Sequence, residues 1–124
     1  VEVDALRHAR FNRSKLASAL QGLPDPGSLN CYLVAPAGVD TWRARSFALD
    51  LSVGEDPATG SAAGPFGAYL RQHRGEESLV VDQGIEMGSP SRLYVDTTAG
   101  IAVTGAVRVV STGTYDLPGE GAPR

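Results

Sequence analysis

The run from Val53 to Pro65 reads Val-Gly-Glu-Asp-Pro-Ala-Thr-Gly-Ser-Ala-Ala-Gly-Pro, and it constrains the fold more than any other stretch of the chain. Turn formers fill its first half, and small residues compatible with a helix fill its second. The pattern predicts a helix that continues through Phe66, Gly67, Ala68, Tyr69 and Leu70 to about Arg74 and ends at Gly75. Side chains this small and apolar at a helix start predict that the start is buried. A buried helix start carries backbone N–H groups that need acceptors.

The flanking sequence supplies strands. Asn30 to Ala35 and Thr41 to Leu49 read as two, the second with Trp42, Ala44 and Ser46 alternating against Arg43, Arg45 and Phe47. Four more candidates follow the helix: Ser78 to Asp82, Ser91 to Thr97, Ile101 to Thr104 and Ala106 to Ser111. Their joints are Gln83-Gly84, Met87-Gly88-Ser89-Pro90, Ala99-Gly100 and Thr112-Gly113. Ahead of the strands, Val1 to Leu23 reads as helical, with Asn12 and Ser14 each able to cap a helix through Leu20 and Gly22 able to end it. The segment Leu23 to Ser28 is a turn by composition, and the residues from Pro118 on read as a flexible tail. The order β-β-helix-β-β-β-β predicts an α+β fold, a curved and mostly antiparallel sheet wrapped around a central helix.

The 124 residues are enough for one domain with a real core. A net charge of −3 with scattered basic residues excludes the electrostatic footprint of a nucleic-acid or anionic-lipid binder. No apolar run approaches the ~20 residues that span a bilayer, and no basic-then-apolar leader opens the sequence. A cytoplasmic protein is the expectation. Cys31, the one cysteine, forms no internal disulfide or multi-thiolate metal site and is expected to be a buried structural thiol. The chain opens on Val1, so it has been trimmed, starts at a valine codon, or is a piece of something longer.

Chemistry concentrates at Glu55 to Ala62. Pro57 fixes a backbone angle, Gly60 removes a side chain, and Thr59 and Ser61 bring hydroxyls. The helix behind them offers free N–H groups and a positive dipole end, a site for a small carboxylate. Asp56 at its edge is a candidate for passing a proton. The plain alternative is that Asp56 and Thr59 only cap a closely packed helix. Elsewhere the signals are weaker. His8 among Arg7 and Arg10 reads as solvated, and His73 as a cation in a helix's last turn. Neither has a partner set for a metal. Arg43 and Arg45 on one strand face can pair with carboxylates or support the cleft, and they read as exposed and structural ahead of direct substrate contact. Ser61 has no His–Asp context for a triad, and Gly54 to Gly60 lacks the Lys of a P-loop.

The string Glu55-Asp56-Pro57-Ala58-Thr59-Gly60-Ser61-Ala62 resembles the signature of the phenazine-biosynthesis isomerase (PhzF-like) family, which shares the diaminopimelate epimerase fold. Arg43 to Phe47 looks like the strand before that signature. Gln83 to Ser91 looks like the family's glutamine–glycine hairpin, and Ile101 to Val109 like its closing strands. The resemblance runs from about Leu16 to Leu117 and matches the second, C-terminal, of two similar lobes, with residues 118–124 as a tail. It implies that Asp56 is the cleft aspartate and catalytic, and that Thr59, Gly60 and Ser61 cradle the substrate. It implies no cofactor and a small carboxylic acid as substrate. The family's principal acid–base glutamate and its histidine lie on the first lobe and match neither Glu2 nor His8. The family usually carries Arg where this chain has Ser89, which removes an ion pair or an anion contact.

Two functions follow as expectations. One is half of an isomerase that relocates a proton on an amino- or hydroxy-carboxylic acid, completed by a companion first-lobe chain or, failing that, covered by a homodimer partner. The other is an inactive stand-alone lobe that binds a small carboxylate or a protein.

Overall fold

The computed structural model describes residues 2–24, 30–49 and 54–114. Two short helices lead, α1 (Val3–His8) and α2 (Arg13–Leu20). Strands β1 (Asn30–Gly38), β2 (Thr41–Ala48) and the two-residue β3 (Glu55–Asp56) follow. Helix α3 (Gly60–Arg74) comes next, then β4 (Ser78–Gln83), β5 (Ser91–Asp96) and β6 (Ala102–Gly105). The sheet order is β1-β2-β4-β5-β6, with β3 paired to β2. Every pairing is antiparallel except β2 with β4. That parallel pair exists because α3 carries the chain back across the sheet, the crossover that parallel neighbours require.

Helix α3 sits on one face of the sheet, against Ala44, Leu79, Val81, Leu93 and Val95. Small residues let it sit close. A Cβ on Gly67 would lie 2.6 Å from Val95 Cγ1, and one on Gly64 3.0 Å from Ile101 Cγ2. Phe66 anchors the other side edge-to-face on Trp42, with ring centroids 5.0 Å apart. The helix ends at Gly75, whose φ of +71° is the left-handed cap position. The central helix read from the sequence is therefore present, residue for residue.

Helix α1 packs on the opposite face against β1 and β2 through the buried Leu6. The single helical reading of Val1 to Leu23 gives way to two helices separated by Ala9 to Asn12. The physical reason is Arg45 on β2, whose Nη1 donates to the carbonyls of Leu6 at 3.0 Å and Ala9 at 2.8 Å and so takes up the end of α1. Of the two candidate caps it is Asn12 that starts α2, its side chain accepting from the Lys15 N–H at 3.0 Å. The turn read at Leu23 to Ser28 and the tail from Pro118 lie largely or wholly outside the described residues.

One expected strand is missing. Ala106 to Ser111 makes no ladder, and Val107, Val109 and Val110 are 96%, 79% and 87% exposed. Alternating apolar residues give a segment a face to bury but do not supply a neighbour. Among the described residues no helix is long and apolar enough to cross a membrane.

Candidate functional site

Strand register brings the candidate residues together. Tyr32 on β1 stands opposite Ser46 on β2, and Ser46 opposite Asp56 on β3. Residues directly opposite one another share a face of the sheet, so this row of three points to the α3 side. Glu55, one residue earlier, points to the other side. There it forms a fork-to-fork pair with Arg45, Nε to Oε1 and Nη2 to Oε2, both at 2.8 Å. The back of the signature is pinned to the sheet while its front carries Asp56.

Thr59 is the N-cap residue of α3, yet its side chain does not cap the helix. Its hydroxyl donates to Asp56 Oδ2 at 2.7 Å. The helix backbone is closed instead by the N–H groups of Ala62 and Ala63, which both donate to the Thr59 carbonyl. The N–H groups of Gly60 and Ser61 come before the first intrahelical donor, the Ala62 N–H, and stay available to a ligand. Pro65 has no N–H to give the Ser61 carbonyl. Thr59 is buried, Asp56 and Gly60 are half-buried, and Ser61 is exposed. The buried helix start read from the sequence is thus only partly buried. Beside it runs a groove of about 570 Å³, lined by Asn30, Tyr32, Ser61, Ala62, Phe66 and Tyr69 among others. The plain alternative, in which Asp56 and Thr59 serve only as caps, does not describe these contacts, since the hydroxyl and carboxylate bond to each other.

Two residues join this cluster that the sequence did not mark as site residues: Gln83, read only as part of the hairpin, and Tyr32, read only as part of a strand. Gln83 is fully buried at the end of β4 and bonds to both Thr59 and the Asp56 backbone. Tyr32 donates its phenol O–H to Gln83 Oε1 at 3.0 Å. Burial, with a further push from the negative charge of Asp56, raises the Tyr32 phenol well above the usual tyrosine range. A signal for Gln83 was present: Leu79, Val81 and Gln83 are the inward positions of one strand, and an amide in such a row needs partners. Ser46 completes the cluster with a hydroxyl that is fully buried and has no partner among the described residues.

The hairpin at Gln83 to Ser91 packs on the signature loop, as expected. Gly84 has φ +76°, and a Cβ there would lie 2.3 Å from the Ser89 carbonyl and 2.8 Å from the Pro57 carbonyl. Both are backbone atoms and cannot rotate away. Gly84→Ala is therefore expected to lose more than about 2 kcal/mol of stability, strain plus clash. Gly75→Ala, at similar φ but with nothing within 4 Å, loses only about 1 kcal/mol. Urea unfolding of the two variants side by side measures the difference, and equal losses would mean the hairpin does not press on the loop.

The remaining candidates stay apart from this cluster. Arg43 pairs with Glu86 at 2.9 Å, so both strand arginines pair with carboxylates, and Arg45 is buried, not exposed. Cys31 is half-buried, beside Phe11, Leu16 and Phe47 on the far face, where burial pushes its thiol up. His8 is exposed, and His73 lies against Tyr69. Among the described residues no group of three or more His, Cys, Asp or Glu could hold a metal ion.

Comparison with known proteins gives a consistent result. The family model described as phenazine biosynthesis-like protein matches residues 2–115. The trans-2,3-dihydro-3-hydroxyanthranilate isomerase of Pseudomonas aeruginosa is 40% identical over 98 residues, which are 77% of this chain and 34% of that protein. A protein of the same name from Pseudomonas chlororaphis is 41% identical over 70 residues, 54% of this chain and 24% of its own length. The chain thus spans between about a quarter and about a third of the length of these relatives. A crystal structure of a PhzF-family phenazine biosynthesis protein from Bacillus anthracis superposes with a TM-score of 0.63 at 20% identity. It covers 83% of this chain and 38% of that one, and it shows the fold alone.

Proposed function

The chain belongs to the phenazine biosynthesis-like protein family, and from that premise we propose that it is the C-terminal lobe of an isomerase that relocates a proton on a small amino- or hydroxy-carboxylic acid. The substrate carboxylate sits at the start of α3, on the open N–H groups of Gly60 and Ser61, where the positive end of the helix favours an anion. Asp56 orients the substrate's amine or hydroxyl group or relays a proton. The carbon-bound proton is moved by a carboxyl group from a first lobe, outside these 124 residues. The observation that carries this reading is the Asp56 carboxylate, held by the Thr59 hydroxyl at the mouth of a helix start.

The need for a second lobe has its own support. The relatives are about three times the matched length. Ile101, Tyr69 and the valines at 107, 109 and 110 are apolar or aromatic side chains left largely exposed. If these side chains form one surface, it is large enough to mark an interaction site. A companion lobe, on the same polypeptide or another, covers them in this reading, and a homodimer partner is the other occupant.

The test begins with native mass spectrometry of the protein from its source, which finds the companion or the dimer. The assembled protein is then given trans-2,3-dihydro-3-hydroxyanthranilate, the compound in the relatives' name, in D₂O. Isomerised product carrying one solvent deuteron is expected. Carboxylate binding with no exchange, for this compound and for other unsaturated amino and hydroxy acids, would favour the stand-alone binding lobe.

A further inference from the structure

We propose that Gln83 is a positioning residue of this site: it sets the direction of the Thr59 hydroxyl and thereby decides which oxygen of Asp56 is left to face the substrate. The inference rests on the reading of Asp56 as the group that handles a proton or a polar substrate group.

The hydrogen-bond directions are fixed by chemistry. Gln83 touches two groups that have only one possible role. The Thr59 backbone N–H can only donate, and it lies 3.3 Å from Gln83 Oε1. The Asp56 backbone carbonyl can only accept, and it lies 2.6 Å from Gln83 Nε2. The amide therefore has one allowed orientation, whichever way the two ends are assigned. Its second nitrogen hydrogen then goes to Thr59 Oγ1, at 2.9 Å. With that oxygen already accepting, the hydroxyl's own hydrogen is directed to Asp56 Oδ2, at 2.7 Å. Tyr32 holds the far end by donating to Gln83 Oε1, which accepts from two donors and keeps no free lone pair.

The result is a one-way chain from Tyr32 through Gln83 and Thr59 to a single oxygen of Asp56. It runs through a residue with no exposure, so water does not compete for it. The raised Tyr32 phenol keeps its proton throughout the range in which carboxylates titrate, so the first donor of the chain does not switch off. Asp56 Oδ2 is spoken for, and Oδ1 is the oxygen without a hydrogen bond from the described residues. A carboxylate locked in this way presents one defined lone-pair direction instead of two interchanging ones. Small misplacements of a reacting group are costly to a rate.

A double-mutant cycle on the assembled two-lobe protein tests the chain. Gln83→Leu and Thr59→Val are each expected to lower kcat about 10²-fold, the scale of an ångström of misplacement, with KM changed only a few-fold. The double variant is expected to be no worse than either single one, because both remove the same link. Thr59→Ser, which keeps the hydroxyl, recovers most of what Thr59→Val loses. Independent, multiplying losses would overturn the proposal, and so would a loss confined to KM, which means that Gln83 only shapes the pocket. If Gln83→Leu fails to fold, Gln83→Glu takes its place: it turns a donor into an acceptor and draws the Thr59 hydroxyl hydrogen away from Asp56. If the unaltered protein turns nothing over, the isomerase reading fails, and crystal structures of the same variants decide the inference alone. The Thr59 hydroxyl swung off Asp56 then supports it, and an unchanged Thr59–Asp56 contact overturns it.

Discussion

Asp56→Asn is expected to lower the turnover of the assembled protein by about 10²–10⁴-fold, the range that a positioned acid–base group contributes, and to leave the fold of this chain as it is. The reason for both halves lies in the same contact. Thr59 donates its hydroxyl hydrogen to Asp56 Oδ2, and the carbonyl oxygen of an asparagine side chain still accepts that hydrogen, in a weaker neutral bond. The Gln83 amide bonds to the backbone carbonyl of residue 56 and does not depend on its side chain. The loop, the helix start and the open N–H groups of Gly60 and Ser61 therefore persist. What is lost is the negative charge and the ability to take up a proton. Steady-state rates on the proposed substrate, set beside thermal unfolding of the unaltered and variant chains, check both. A variant that keeps its turnover removes Asp56 from the chemistry. One that loses turnover and stability together shows that the carboxylate is a structural element of the loop.

The parts of this site differ in how plainly the sequence announces them. Helix α3 was legible because its constraints are local: small residues where it meets β5 and β6, and Gly75 where it must take a left-handed turn. The signature residues Asp56 and Thr59 were legible as chemistry-bearing types next to a helix start. Their bond to each other was not, since Thr59 ahead of a helix reads first as a cap. Gln83 was hidden for a different reason. Its partners lie 24, 27 and 51 positions away in sequence, and the parallel pairing of β2 with β4 brings it under the loop. Nothing in a period-2 pattern distinguishes a parallel from an antiparallel neighbour. The same gap explains Ala106 to Ser111, where alternation predicts a strand and no partner strand is present among the described residues. Arg45 shows the limit of reading charge as exposure. Its guanidinium is satisfied by one carboxylate and two carbonyls from elements that are distant in sequence, and that is what allows an arginine to be buried.

That burial makes Glu55→Gln a strongly destabilising change. Glu55 accepts two hydrogen bonds from Arg45, each at 2.8 Å, and the two side chains are 13% and 9% exposed. Glutamine keeps one acceptor, places an N–H₂ group against the other guanidinium nitrogen, and removes the carboxylate charge in direct contact with a buried guanidinium, leaving only the more distant Glu86. Breaking one side of a buried pair costs about 3–5 kcal/mol, a large part of the stability of a domain this size. The remaining ties of Arg45, to the Leu6 and Ala9 carbonyls and over the Phe47 ring at 4.9 Å, do not supply the missing charge. The exposed pair between Arg92 and Asp82 has the same fork geometry, at 2.7 and 2.9 Å. Solvent screens it, and Arg92→Gln is expected to leave the unfolding midpoint nearly unchanged. Urea titration of both variants separates the cases. Equal effects would mean that burial does not set the worth of these pairs. A large loss confined to Glu55→Gln would mean that the signature is held in place from behind, so that the position of Asp56 depends on an arginine on the opposite face of the sheet.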